Sequence, residues 1–157
     1  MAGSSGYLYV MRLAPTAITT AKTLIQVVAG AAAFDVIGAT VSQVTKSTSE
    51  ELRIQLLRKT ALATVTAFTP LKTNPRDPDS LAIGGTLLTG VNASAEGNNG
   101  DVLEDRGWNV INGTWEYVPI PEARKRASQA GNLCLVLITA PAASMTISAT
   151  LDIIEYS

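Results

Sequence analysis

From Met145 onwards the chain alternates with a period of two. Met145, Ile147, Ala149, Leu151 and Ile153 take the odd positions, and Thr146, Ser148, Thr150 and Asp152 the even ones. Successive side chains of a strand point to opposite faces, so this spacing buries one face and wets the other. A helix would bring Thr150 onto the face of Ile147 and Leu151 and bury its hydroxyl beside them. The segment is therefore read as a strand, and whatever the chain folds into must cover its odd face.

Other segments follow the same logic. Residues 133–138 (Leu-Cys-Leu-Val-Leu-Ile) are apolar on both faces, which predicts a central strand. The bend at 139–144, with Pro141, predicts an antiparallel hairpin from it into the C-terminal strand. Residues 7–13 alternate aromatic and aliphatic side chains and are expected to stop before Pro15, while Leu52, Ile54 and Leu56 alternate with Arg53 and Gln55. Residues 61–68 form a Thr- and Val-rich strand. Residues 18–28 fit a helical face as well as a strand, and their β-branched content favours the strand; residues 34–44 are read the same way. Residues 69–101 form a long connection carrying Pro70, Pro75, Pro78 and the run Glu96-Gly97-Asn98-Asn99-Gly100, with room for one short strand at 86–91. After a strand at 101–110, Asn112-Gly113 signals a type I′ hairpin into residues 115–118. Eight or so short strands predict an all-β chain: an antiparallel β-sandwich, jelly-roll-like in topology, with long loops. The expected organisation is one domain over residues 7–157 behind a flexible arm of residues 1–6.

Charge narrows the function classes. Only 16% of the 157 residues are charged, and 12 basic against 13 acidic residues leave a net charge of −1. Nucleic-acid binding draws its affinity from a cationic surplus, so none is expected here. The run Arg124-Lys125-Arg126 is read as a solvated loop or strand edge. A surface of Thr, Ser, Asn, Gly and Ala is cheap to desolvate and suits contact with other subunits. Residues 23–44 are broken by Gln26, Asp35 and Gln43, which argues against a membrane span. Residues 1–6 lack the basic and apolar regions of a signal peptide.

The search for reaction chemistry begins with an absence: the chain has no histidine. That removes Ser-His-Asp and Cys-His catalysis and the commonest transition-metal ligand. Cys134, the one cysteine, lies in an apolar run and reads as a small hydrophobe. Residues 84–90 are glycine-spaced but lack the lysine of a phosphate-binding loop. Asp77 and Asp79 could offer carboxylates to calcium, but two prolines stiffen the segment and no glycine separates the acids, so it reads as a plain proline turn. Glu96, Asp101, Glu104 and Asp105 are carboxylates in or beside loops with no pairing motif. Trp108, Trp115 and Tyr117 would make a stacking platform for a sugar or base if exposed; the preferred reading places Trp115 over the core. No catalytic residue, metal or cofactor is expected, and the chain is not read as an enzyme.

Taken in order, four stretches resemble a family of small tailed-bacteriophage proteins, the capsid decoration or cement proteins with jelly-roll-like folds. They are residues 22–29 (KTLIQVVA), residues 50–58 (EELRIQLLR), a Pro/Gly-rich middle, and residues 115–122 (WEYVPIPE) followed by the alternating C-terminal strand. The resemblance implies a structural virion protein, made in the host cytoplasm, that sits as a homotrimer on the capsid exterior and ties major capsid protein subunits together. Its expected contact elements are the terminal residues Ala2, Gly3, Ser4, Ser5 and Gly6 and the loop residues Asn74, Pro75, Arg76, Asp77, Pro78 and Asp79, since termini and loops are free to order on a partner. The alternative is a tail-fibre or baseplate sandwich that binds a host glycan.

Overall fold

A computed structural model describes residues 6–156. They form twelve strands: β1 (Gly6–Ile18), β2 (Lys22–Val28), β3 (Ala33–Gln43), β4 (Glu51–Ala61), β5 (Thr64–Ala67), β6 (Leu71–Lys72), β7 (Gly90–Ala95), β8 (Asn98–Asn109), β9 (Trp115–Tyr117), β10 (Lys125–Ala127), β11 (Asn132–Leu137) and β12 (Met145–Tyr156). All strand pairs are antiparallel. The first sheet runs β10-β3-β12-β1-β6, with β9 also on β3, and the second runs β5-β7-β2-β11-β4-β8. The chain is thus an all-β, antiparallel two-sheet fold of the sandwich kind.

The alternation at the C-terminus sets the inner face of the first sheet. Met145, Ile147, Ala149, Leu151 and Ile153 are all buried, and the even positions of β12 are half-exposed. Their neighbours across the ladder, Met11 and Leu13 on β1 and Val36, Ala39 and Val41 on β3, face the same core. Leu52, Ile54 and Leu56 of β4 and Leu133, Leu135 and Leu137 of β11 close it from the second sheet. The two-sided apolarity of β11 is also explained. Cys134 and Val136 point the other way and form a smaller cluster with Leu57.

Several expectations are corrected. β11 and β12 do not form a hairpin: β11 lies between β2 and β4, whereas β12 lies between β1 and β3. The bend between them crosses from one sheet to the other, because each strand has apolar side chains that only its own sheet can bury. Asn112-Gly113 likewise does not close a hairpin. Gly113 has a φ of 105°, but Asn112 does not adopt the positive φ that a type I′ turn needs. The turn is closed one step earlier, by Asn112 N–H donating to the Asn109 carbonyl at 3.1 Å. β8 stays in the second sheet while β9 pairs with β3, which turns Trp115 and Tyr117 into the core. Burial of two large aromatics outweighs the local turn preference.

β1 does not stop before Pro15. Its pairing with β12 skips from Leu13 to Thr16, and this irregularity accommodates a residue with no N–H to donate. The Thr- and Val-rich strand is shorter than expected, since Ala61 ends β4 and β5 begins at Thr64. The long connection holds more structure than one strand at 86–91. It contains β6, β7 and the start of β8, and its longest stretch outside strands is residues 73–89.

The two faces of β12 should respond differently to truncation. Leu151→Ala is expected to cost about 2–5 kcal/mol in urea unfolding, as for other buried leucines. Thr150→Ala, on the half-exposed face, should stay within roughly 0.5 kcal/mol of the parent.

Candidate partner-contact surface

Of the expected contact elements, Ala2, Gly3, Ser4 and Ser5 lie outside the described residues. Gly6 is not part of an arm: it opens β1 opposite Tyr156. A Cβ there would sit 2.3 Å from Ile154 Cγ1, so the Ile154 side chain lies directly over the bare glycine backbone.

The loop of Asn74, Pro75, Arg76, Asp77, Pro78 and Asp79 follows β6 and is tied to the same end of β1. Thr73 donates to the Leu8 carbonyl from both its N–H (3.2 Å) and its hydroxyl (3.1 Å). The Tyr9 hydroxyl donates to the Pro78 carbonyl at 2.9 Å. Within the loop, Asp77 N–H donates to the Asn74 carbonyl at 3.0 Å, and the Asn74 amide donates to Asp77 Oδ1 at 3.0 Å. Asp79 pairs with Lys72 at 2.7 Å. The two acids weighed as cation ligands therefore have separate protein partners. Among the described residues no group of three or more His, Cys, Asp or Glu side chains is arranged to hold a metal. The structure thus gathers Gly6 and the 74–79 loop at one edge of the first sheet.

That edge carries a feature the sequence reading did not isolate. Leu71 lies opposite Val10, and Leu8 lies opposite Ile154. Tyr9 and Met11 between them are buried, so Leu8, Val10, Leu71 and Ile154 share the solvent-facing side. Leu71 is 53% exposed and Leu8 40%. The sequence signal was present in residues 7–13, where apolar side chains occupy both faces. What it lacked was β6, a two-residue strand supplying Leu71 from inside a Pro-rich connection.

The same row continues across the sheet, from Leu8 to Ile154, Asp35 and Arg126. Arg126 donates to Asp35 through Nε (2.6 Å) and Nη2 (3.0 Å), and the Tyr156 hydroxyl donates to Asp35 Oδ2 at 2.8 Å. The Arg126 guanidinium lies 5.0 Å from the centre of the Tyr156 ring. The basic run is thus a strand edge, as expected, but Arg126 is held in a bidentate pair. Burial works to raise the Asp35 carboxyl, and the hydrogen bonds from Arg126 and Tyr156 outweigh it, leaving it below its ordinary value. Asp152, opposite Val10 and Gly38, has its carboxyl pushed up by burial. In the next row Thr150 and Thr40 lie between the exposed Arg12 and Glu116, and beyond them the Ser148 and Ser42 hydroxyls are 2.9 Å apart.

The remaining candidates are engaged in the fold. Trp108, Trp115 and Tyr117 are buried, and Trp108 Nε1 donates to the Gly113 carbonyl at 2.9 Å. They present no stacking platform. Glu104 pairs with Arg106 at 2.6 Å, and Asp105 pairs with Arg53. The Cys134 thiol is buried and pushed up to about 12, chiefly by desolvation, so it remains protonated. No family model, no curated protein and no solved structure matches this chain.

Asp35 gives the surface a defined pH dependence. Its folded carboxyl is depressed, so the stabilisation is present above the unfolded value near pH 4 and is lost as pH falls through the folded value. Asp35→Asn should lower stability by about 1–3 kcal/mol at pH 7. In urea titrations the gap to the parent should close below roughly pH 4.

Proposed function

We propose that this chain is a structural virion protein, a head decoration or cement protein of a tailed bacteriophage. It binds the outside of the capsid as a homotrimer and stabilises the shell by bridging major capsid protein subunits. The observation that carries this reading is the solvent-facing side of the first sheet. An apolar patch of Leu8, Val10, Leu71 and Ile154 lies at the edge where the first strand and the 74–79 loop meet, bordered by Asp152, Arg12 and the hydroxyls of Thr150 and Ser148. The apolar patch loses little on desolvation, and Arg12, Asp152 and the flanking loop supply polar groups for a rim. The resemblance of residues 22–29, 50–58 and 115–122 to the decoration proteins supports the same assignment.

The strand order supports a jelly-roll reading. Nested pairs β1·β12, β2·β11, β3·β9 and β4·β8 are those of a long hairpin wrapped onto itself. Wrapping gives the sheets β1-β12-β3-β9 and β2-β11-β4-β8, with β5, β6, β7 and β10 as additions at edges.

Weak individual contacts suffice in this scheme, because linked copies raise the effective concentration of the next contact. Purified protein is expected to co-sediment with mature empty heads at a fixed copy number and to raise their resistance to heat. Leu8→Asp with Leu71→Asp should reduce the bound fraction at least about tenfold, the effect of losing roughly 1.4 kcal/mol, while leaving the urea midpoint unchanged. Failure of the parent protein to bind heads, together with retention on a glycan array, would move the assignment to a tail-fibre or baseplate module.

A further inference from the structure

The Glu96-Gly97-Asn98-Asn99-Gly100 run lies against the end of β4 far more closely than a turn with ordinary side chains could. A Cβ on Gly97 would fall 1.8 Å from the Ala61 carbonyl oxygen, and one on Gly100 would fall 3.0 Å from that of Arg58. This approach delivers Glu96 and Asn99 to Lys59, whose side chain is completely buried. Lys59 Nζ lies 2.8 Å from Asn99 Oδ1 and 3.1 Å from Glu96 Oε2. Lys59 and Asn99 are direct cross-strand partners, with breaks in register on both sides of Lys59. Such breaks re-aim side chains.

Glu96 and Lys59 are each held in place by further partners. Thr23 donates from its N–H to Glu96 Oε1 at 2.7 Å and from its hydroxyl to Oε2 at 2.6 Å. Asn132 clamps the Lys59 backbone, accepting from its N–H at 2.8 Å and donating to its carbonyl at 3.1 Å. Leu57, two residues before Lys59 on the same face, belongs to the small apolar cluster with Cys134 and Val136. A buried primary amine, an amide carbonyl within hydrogen-bond reach and a fixed carboxylate touching the amine are the groups an amide-forming condensation requires.

We propose that Lys59 and Asn99 condense into an intramolecular isopeptide bond, with Glu96 as the catalytic proton carrier. Glu96 takes one proton from the Lys59 ammonium, and the freed lone pair attacks Asn99 Cγ. The Nζ–Cγ bond forms, Glu96 returns the proton to Nδ2, and the Cγ–Nδ2 bond breaks. The departing ammonia takes up the second Nζ proton and leaves as ammonium, so atoms and charge balance with no oxidant or reductant. A groove of about 500 Å³, lined by Lys22, Glu96, Asn98, Asn99, Leu137 and Ile138, gives it an exit. The condensation removes a buried charge, whose desolvation is unfavourable, and joins the edge strand β8 covalently to β4. The inference is independent of capsid binding.

The test is the intact mass of the full natural chain after incubation at neutral pH, followed by protease mapping. The expected result is a chain lighter by one ammonia, with a branched peptide joining Lys59 to Asn99. Lys59→Arg should restore the full mass, and Glu96→Gln should slow the loss of ammonia by roughly a hundredfold. A chain of full sequence mass that trypsin cleaves after Lys59 overturns the proposal. So does loss of ammonia without a linked peptide, which marks a succinimide at Asn99-Gly100 or Asn112-Gly113.

Discussion

The first sheet depends on β12 being buried along one face and paired along both edges. β1 and β3 flank it over almost its whole length, so the last strand of the chain holds the first strand in place. The inner row of β12 is apolar as far as Ile153 and ends in Glu155, which is also buried. Its carboxylate accepts hydrogen bonds from the Ser80 hydroxyl and from Leu81 N–H at 2.9 Å. A charge at the end of the core row thereby pins the 73–89 connection over the open end of the sandwich. Unpaired, a buried carboxylate would be strongly destabilising. Here its acceptor groups are filled, and the requirement for partners fixes where the connection runs.

Polar side chains organise the second sheet in a comparable way. Gln26, fully buried on β2, accepts from Ala63 N–H at 3.0 Å and donates to the carbonyls of Ala63 (3.1 Å) and Leu88 (2.7 Å). Two separate segments are thus held to the outer side of β2 by one amide. Thr23, Lys59, Glu96 and Asn99 extend the network towards β8. This side of the second sheet is internally bonded, whereas the outer side of the first sheet carries an exposed apolar patch among hydroxyls and a few charged side chains. That asymmetry is the ground for proposing docking on the first sheet and a condensation within the chain on the second.

Much of the fold was legible from local pattern. Period-2 spacing in β12 and β4, two-sided apolarity in β11 and β-branched content in β2 each predicted the element found. These signals work because a strand's side-chain direction is set by its own backbone. The candidate surface was less legible. The Asn74–Asp79 loop was recognisable from its prolines, but its union with the start of β1 depends on Tyr9 reaching Pro78 and on Thr73 reaching Leu8. Leu71 carried no periodic signal at all, because a two-residue strand has no period.

The sequence by itself determined that the chain is all-β, which faces of its strong strands are inward, and that histidine chemistry is absent. Only the tertiary structure decided which strands are neighbours. The two bends expected to close hairpins, at 139–144 and at Asn112-Gly113, cross between sheets instead. A turn's own preference contributes little against burying Trp115 and Tyr117 beside β3 or seating β11 between β2 and β4. Pairing partners are chosen by the summed burial of whole strand faces, and that sum is not a property of any local stretch of sequence.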